Sequence, residues 1–156
     1  MLRFLIFSDS HGLREPMQEL YRRYPNDGII HLGDHLADAQ WMLQRTDGHP
    51  VYRVKGNCDF GAEGAEDLLL ELGGVRVLMM HGHRFGVKGG YGGALAEAKR
   101  CGADVLLFGH THIPFMEERD GILMMNPGSL RNPQREYGII EIEEGKAKGA
   151  LLHLYD

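Results

Sequence analysis

The sequence predicts an α/β fold with a parallel front half and a back half made largely of antiparallel hairpins. Three observations predict it. Short apolar runs alternate with helix-patterned stretches through the first third of the chain. Further on, paired runs flank tight-turn dipeptides. Finally, the apolar runs end in Asp, Asn or His beside Gly, which suits a ligand-binding rim at strand ends.

The elements follow in order. LRFLIFS (2–8) is a continuous apolar run, as in a strand buried on both faces. GLREPMQELYRRY (12–24) has a helical pattern, with Pro16 near the first turn, where its missing N–H costs little. GIIHLG (28–33) is a second buried strand. LADAQWMLQRT (36–46) is a second helix, with Trp41 expected on its inner face, and PVYRV (50–54) is a third strand. DLLLEL and VRVLMMHG flank Gly73-Gly74, a hairpin signal. KGGYGGALAEAKRCG (88–102) enters through glycines and turns helical up to Gly102, and DVLLFGH is again a buried strand. IPFMEER and ILMMN flank Asp120-Gly121; YGIIEIE and KGALLHLYD flank EEGK. No repeat or linker divides the chain, so residues 1–156 are expected to form a single domain.

Composition narrows the function classes. With 43% hydrophobic and 25% charged residues the chain can bury a core, and no apolar run approaches a membrane span. The first apolar run meets Asp9 and His11 too early for a secretory signal, so a cytoplasmic location is expected. The two cysteines, Cys58 and Cys101, form no CxxC and are too few for a cysteine-type zinc site. A net charge of −5 without a basic cluster argues against binding a nucleic-acid backbone. The antiparallel strands at the back offer an edge through which two copies could pair as a homo-oligomer.

The strand endings carry the chemistry. FSDSHG supplies Asp9 and His11, HLGDH supplies Asp34, KGNCD supplies Asn57, MMHGH supplies His81 and His83, and LFGHTH supplies His110 and His112. Asp9-x-His11 and His110-x-His112 are spaced two apart, which puts both members on one face of an extended chain. Carboxylate mixed with imidazole suits Mn, Fe, Ni or Zn. Seven such ligands exceed the need of one ion. They fit two divalent ions sharing a carboxylate, roughly 3.5–4 Å apart. Two ions in such a site can activate a water, so no protein nucleophile is required.

The set DSH (9–11), GD (33–34), GNCD (56–59), MHGH (80–83) and GHTH (109–112), extended by NPGS (126–129), resembles the calcineurin-like metallophosphoesterase superfamily. The small size and the GNCD form resemble its YfcE-type phosphodiesterase branch. The resemblance implies a four-layer α/β/β/α sandwich of two mixed sheets flanked by helices. It also implies a hydrolase acting on a small phosphate-ester substrate, with two divalent metal ions, manganese first among Mn, Fe, Ni and Zn. By position one ion would take Asp9, His11, Asp34 and His112, and the other Asp34, Asn57, His81 and His110, with Asp34 bridging. Where many members have His after GN, this chain has Cys58, so the usual proton donor is missing and His83 is the stand-in. A small, partly buried role is expected for Cys58, and a core role for His31. Arg53, Arg84 and Arg131 are candidate phosphate contacts, and NPGS is expected to form a turn whose amides could meet phosphate. The alternative is a non-catalytic scaffold of the same fold, as in a retromer subunit; seven filled ligand positions argue against it.

Overall fold

The computed structural model describes residues 1–155; Asp156, which the sequence assigns to the last strand run and domain, lies outside the described residues. Strands β1 (Leu2–Phe7), β2 (Gly28–His31) and β3 (Val51–Arg53) run parallel, with Ile6 beside Ile30 and Ile30 beside Tyr52. Helices α1 (Arg14–Arg23) and α2 (Leu36–Leu43) make the crossovers. On the other side of β1 lie β9 (Glu136–Glu143) and then β10 (Lys146–His153), both antiparallel, giving the order β10-β9-β1-β2-β3.

The second sheet has the order β4-β5-β6-β8-β7. It contains β4 (Asp67–Leu72), β5 (Val75–Met80), β6 (Val105–Leu107), β7 (Phe115–Arg119) and β8 (Ile122–Asn126). Helix α3 (Gly92–Cys101) connects β5 to β6. Here the structure corrects the expectation of a largely antiparallel back half: β5, β6 and β8 are parallel neighbours. The cause is visible in their sequences. VLMM, VLL and LMMN are apolar on both faces, as strands covered on both sides must be. The turn dipeptides fix which consecutive strands form hairpins but not which strands meet side by side. All three hairpins are present. Their central pairs, Gly73-Gly74, Asp120-Gly121 and Glu144-Gly145, each have φ values between 54° and 84°, the double left-handed backbone that matches strand twist.

Period-two alternation builds the layers. Phe4 and Ile6 of β1 face Val77, Met79 and Leu107 of the second sheet, all buried between the sheets. Leu5 and Phe7 face outward onto Met17 and Leu20 of α1 and Met42 of α2. Leu78, Leu106 and Met124 face outward onto Ala94, Leu95 and Ala98 of α3. The result is the expected α/β/β/α sandwich. Met79, Met80, Met124 and Met125 are core residues, as expected. Trp41 packs against the core under α2 but is only half-buried, its ring also covered by the Arg45 guanidinium 3.7 Å from its centroid. α2 also stops at Leu43, short of the expected 46.

Candidate metal centre

β1, β2 and β3 of one sheet and β5 and β6 of the other end on a common rim, and the residues just beyond them converge. Asp9, His11 and His112 form one tight group of potential ligands; Asp9, Asp34 and His81 form a second, sharing Asp9. The His112 Nε2 lies 3.0 Å from Asp9 Oδ1, and the His81 Nε2 lies 3.4 Å from Asp34 Oδ2 and 3.8 Å from Asp9 Oδ1. His110 Nδ1 approaches His81 Nε2 to 3.1 Å, and the His110 backbone N–H donates to Asp9 Oδ2. Asn57 is exposed and lines an open cavity of about 440 Å³ together with His83.

The backbone aims these side chains by a device different from strand alternation. Asp9, His11, Asp34, His110 and His112 stand in turns beyond the strands, each with φ between 47° and 69°. Left-handed backbone at non-glycine residues costs about 1–3 kcal/mol each and concentrates where function requires it. Close approach is a second requirement. A Cβ on Gly56 would lie 2.1 Å from Asp34 Oδ1, and one on Gly109 would lie 2.0 Å from Ser8 Oγ. At these two sites glycine serves contact rather than turning.

A shell of buried polar groups holds the turns. Asp59 accepts three backbone N–H bonds, from Asp34 (3.0 Å), Leu36 (2.9 Å) and Gly56 (2.8 Å). Asp38 accepts from Ser10 Oγ, from the Gly12 N–H and from Arg14 Nε. His31 is fully buried. Its Nδ1 accepts the Gly33 N–H, which leaves the Nε2–H to donate to Ser10 Oγ, whose own proton goes to Asp38. That closed chain needs a neutral ring, and burial accordingly lowers its pKa to about 4. Ser129 Oγ donates to the Asp9 carbonyl. The NPGS amides are already used: Gly128 donates to Asn126 Oδ1 and Ser129 to Glu136 Oε1. NPGS therefore braces the rim, and those two amides are not free for phosphate. The sequence reading missed Asp59, Asp38, Ser10 and Ser129 as supports. Only Asp59 carried a signal, standing three residues after Gly56.

The electrostatics favour a cation. His81 Nδ1–H donates to the Leu32 carbonyl, so Nε2 faces both carboxylates. Burial opposes charge on His81, yet Asp34 and Asp9 hold its pKa above the usual value. Burial also opposes charge on Asp34, but His81 and the Cys58 N–H hold that carboxyl well below the usual range. Asp9 goes the other way, pushed up by burial despite His81 and Ser8. His110 falls to about 4 through burial and the charge of His81. His11 Nε2 is buried without a hydrogen-bond partner. An orphaned imidazole nitrogen grouped with Asp9 and His112 fits a divalent ion.

The other candidates divide. Cys58 is exposed, contrary to expectation, and it is the backbone N–H that serves the site. Burial and the nearby Asp34 raise its thiol pKa, which keeps it a thiol at neutral pH. Arg84 is engaged by Glu66 and Asp67, and Arg53 by the Val51 carbonyl. Arg131 is exposed, and its charge reaches His11. The His35 ring lies against that of His11, tilted by 57° with centroids 4.7 Å apart.

Acid and imidazole side chains gathered at the shared strand ends of an α/β/β/α sandwich are the arrangement expected of a metallophosphoesterase. The chain belongs to the calcineurin-like phosphoesterase superfamily, whose domain model matches residues 2–145. It is 37% identical to the probable metallophosphoesterase YsnB of Bacillus subtilis, across 99% of this chain and 91% of that protein. It is 29% identical to the phosphodiesterase YfcE of Escherichia coli, across 90% and 88%. The crystal structure of a predicted phosphoesterase from Streptococcus pneumoniae superposes with a TM-score of 0.79 at 31% identity, covering 99% of this chain and 90% of that one. A Vps29 variant from Entamoeba histolytica also reaches 0.79, covering 97% and 99%, but at 20% identity that likeness shows the fold alone.

Proposed function

We propose that this chain is a phosphodiesterase with a dinuclear centre, acting as one cytoplasmic domain on a small phosphate ester. The observation that supports the reading is two adjoining groups of potential ligands, which meet at Asp9 rather than at Asp34, the bridge that the family resemblance implies. Asp9, His11, Asp34 and His112 would hold one ion, and Asp34, Asn57, His81 and His110 the other, with Asp34 between them. Manganese is the preferred metal, ahead of Fe, Ni and Zn. Two such ions supply Lewis acidity and a deprotonated water near neutral pH.

The chain's own residues do the remaining work. His81, fixed by the Leu32 carbonyl, keeps its Nε2 lone pair on the centre. The Cys58 N–H and Asp59 hold Asp34 and its turn in place. His83 lines the open cavity and is the imidazole we assign to hand a proton to the leaving alkoxide. Burial and His81 lower its pKa, which makes its protonated form a stronger donor but a scarcer one at neutral pH. The Cys58 thiol has no catalytic role in this scheme.

The test is hydrolysis of bis-p-nitrophenyl phosphate by chelator-stripped protein, with and without added Mn²⁺. Turnover should appear with the metal and fall at least about 100-fold in Asp34→Ala, since loss of a ligand typically removes affinity as well as rate. A folded, metal-loaded protein without turnover on Mn²⁺, Fe²⁺, Ni²⁺ or Zn²⁺ would favour the alternative of a non-catalytic scaffold.

A further inference from the structure

Phe60 is the most exposed large apolar residue among the described ones, at 93%. It stands in the loop after β3, three residues beyond Asn57. Single exposed apolar side chains are ordinary on protein surfaces. This one differs in its placement. It lines the same open cavity as Asn57 and His83, and the His83 ring lies 5.5 Å from that of His81 in the candidate centre. Its position is fixed from behind: Asp59 is buried and accepts three backbone N–H bonds, and the Ala62 N–H closes a turn onto the Asp59 carbonyl. An aromatic ring is therefore held at the mouth of a polar site with no protein packed over it.

The same cavity contains a cation. Lys55 lines it and makes no ion pair or side-chain hydrogen bond among the described residues. Both acids on the wall are engaged elsewhere: Glu66 pairs with Arg84 at 3.1 Å, and Asp59 accepts its three backbone N–H bonds. The cavity thus offers an unopposed ammonium and a bare ring face next to the candidate centre. An anion that carries a flat ring would use both.

We propose that Phe60 and Lys55 form a subsite for phosphate esters bearing a planar aromatic group, Phe60 stacking on the ring and Lys55 meeting the anion. This rests on the phosphoesterase reading and narrows its substrate class. Two sources of such a ring, a nucleobase and a simple aryl group, share this chemistry. Base stacking on an aromatic side chain contributes about 1–3 kcal/mol, which is roughly 5- to 150-fold in affinity.

The test is binding, measured by titration calorimetry on the Mn²⁺-loaded full chain. The probes are adenosine 5′-monophosphate, phenyl phosphate and ribose 5-phosphate. The expected result is that the adenosine ester binds at least about fivefold tighter than ribose 5-phosphate. Phenyl phosphate gaining equally would mark a general aryl site; no gain for it would mark a nucleobase site. In Phe60→Leu, which keeps apolar bulk but loses the stacking face, the ratio between the adenosine ester and ribose 5-phosphate should fall toward one. In Lys55→Met all three should weaken by similar factors while that ratio holds. Binding of all three with a ratio near one, or a ratio that survives Phe60→Leu, overturns the subsite and leaves the phosphoesterase reading standing. No saturable binding of any probe overturns both.

Discussion

His83 shows how one position can set the reaction's scope. Its ring lies 5.5 Å from that of His81 and faces the cavity where a leaving group would depart. General acid help is worth about 100- to 10,000-fold when the leaving group is a poor one and little when it is already acidic. His83→Ala is therefore expected to slow hydrolysis of an alkyl phosphodiester by about 100-fold or more, and that of bis-p-nitrophenyl phosphate by less than about tenfold. Steady-state rates on the two esters check this; equal losses would remove His83 as the donor. At this scale the sequence was informative about identity and silent about conformation. The spacing of Asp9, His11, Asp34, His81, His110 and His112 named residues that the fold brings together. Nothing in DSH or GHTH announced left-handed backbone, because only the neighbouring glycines advertise φ > 0 and the ligands themselves are not glycine.

Among elements, the turn after β3 depends on a single carboxylate. Asp59 joins that turn to the start of α2 through the N–H groups of Gly56, Asp34 and Leu36. Removing it leaves three buried donors unpaired, each costing about 1–3 kcal/mol. Asp59→Ala should lower the free energy of urea unfolding by about 3 kcal/mol or more. Asp59→Asn, with its oxygen in the Oδ2 position, keeps the acceptor for Asp34 and Gly56 and should recover most of the loss. Hairpins and the end of α3 were legible in the sequence because local chemistry sets them, whereas the end of α2 was not. Gly102 ends α3 with φ 68°, and Asp120-Gly121 turns β7 into β8. The parallel pairing of β5, β6 and β8 was not legible. Partner choice across a sheet is decided by burial on both faces, which a run such as VLL reports without naming its neighbour.

For the molecule as a whole, acid stability should carry the signature of His31. Its folded pKa of about 4 lies below the unfolded value of 6.5, so the unfolded chain takes up the proton first as pH falls. The contribution is intact above pH 6.5 and is lost progressively down to about 4. It amounts to at most about 3 kcal/mol. Thermal melts of chelated protein between these limits should show falling Tm, and His31→Gln should flatten that slope. The placement of the candidate ligands has a wider effect. Asp9 and Asp34 follow strands of one sheet, His81 and His110 strands of the other, and His81 already reaches across to the Leu32 carbonyl. An ion seated there would act as a rivet through both halves of the sandwich, so that occupancy and the slow breathing of the two sheets become one equilibrium, readable in amide exchange far from the rim.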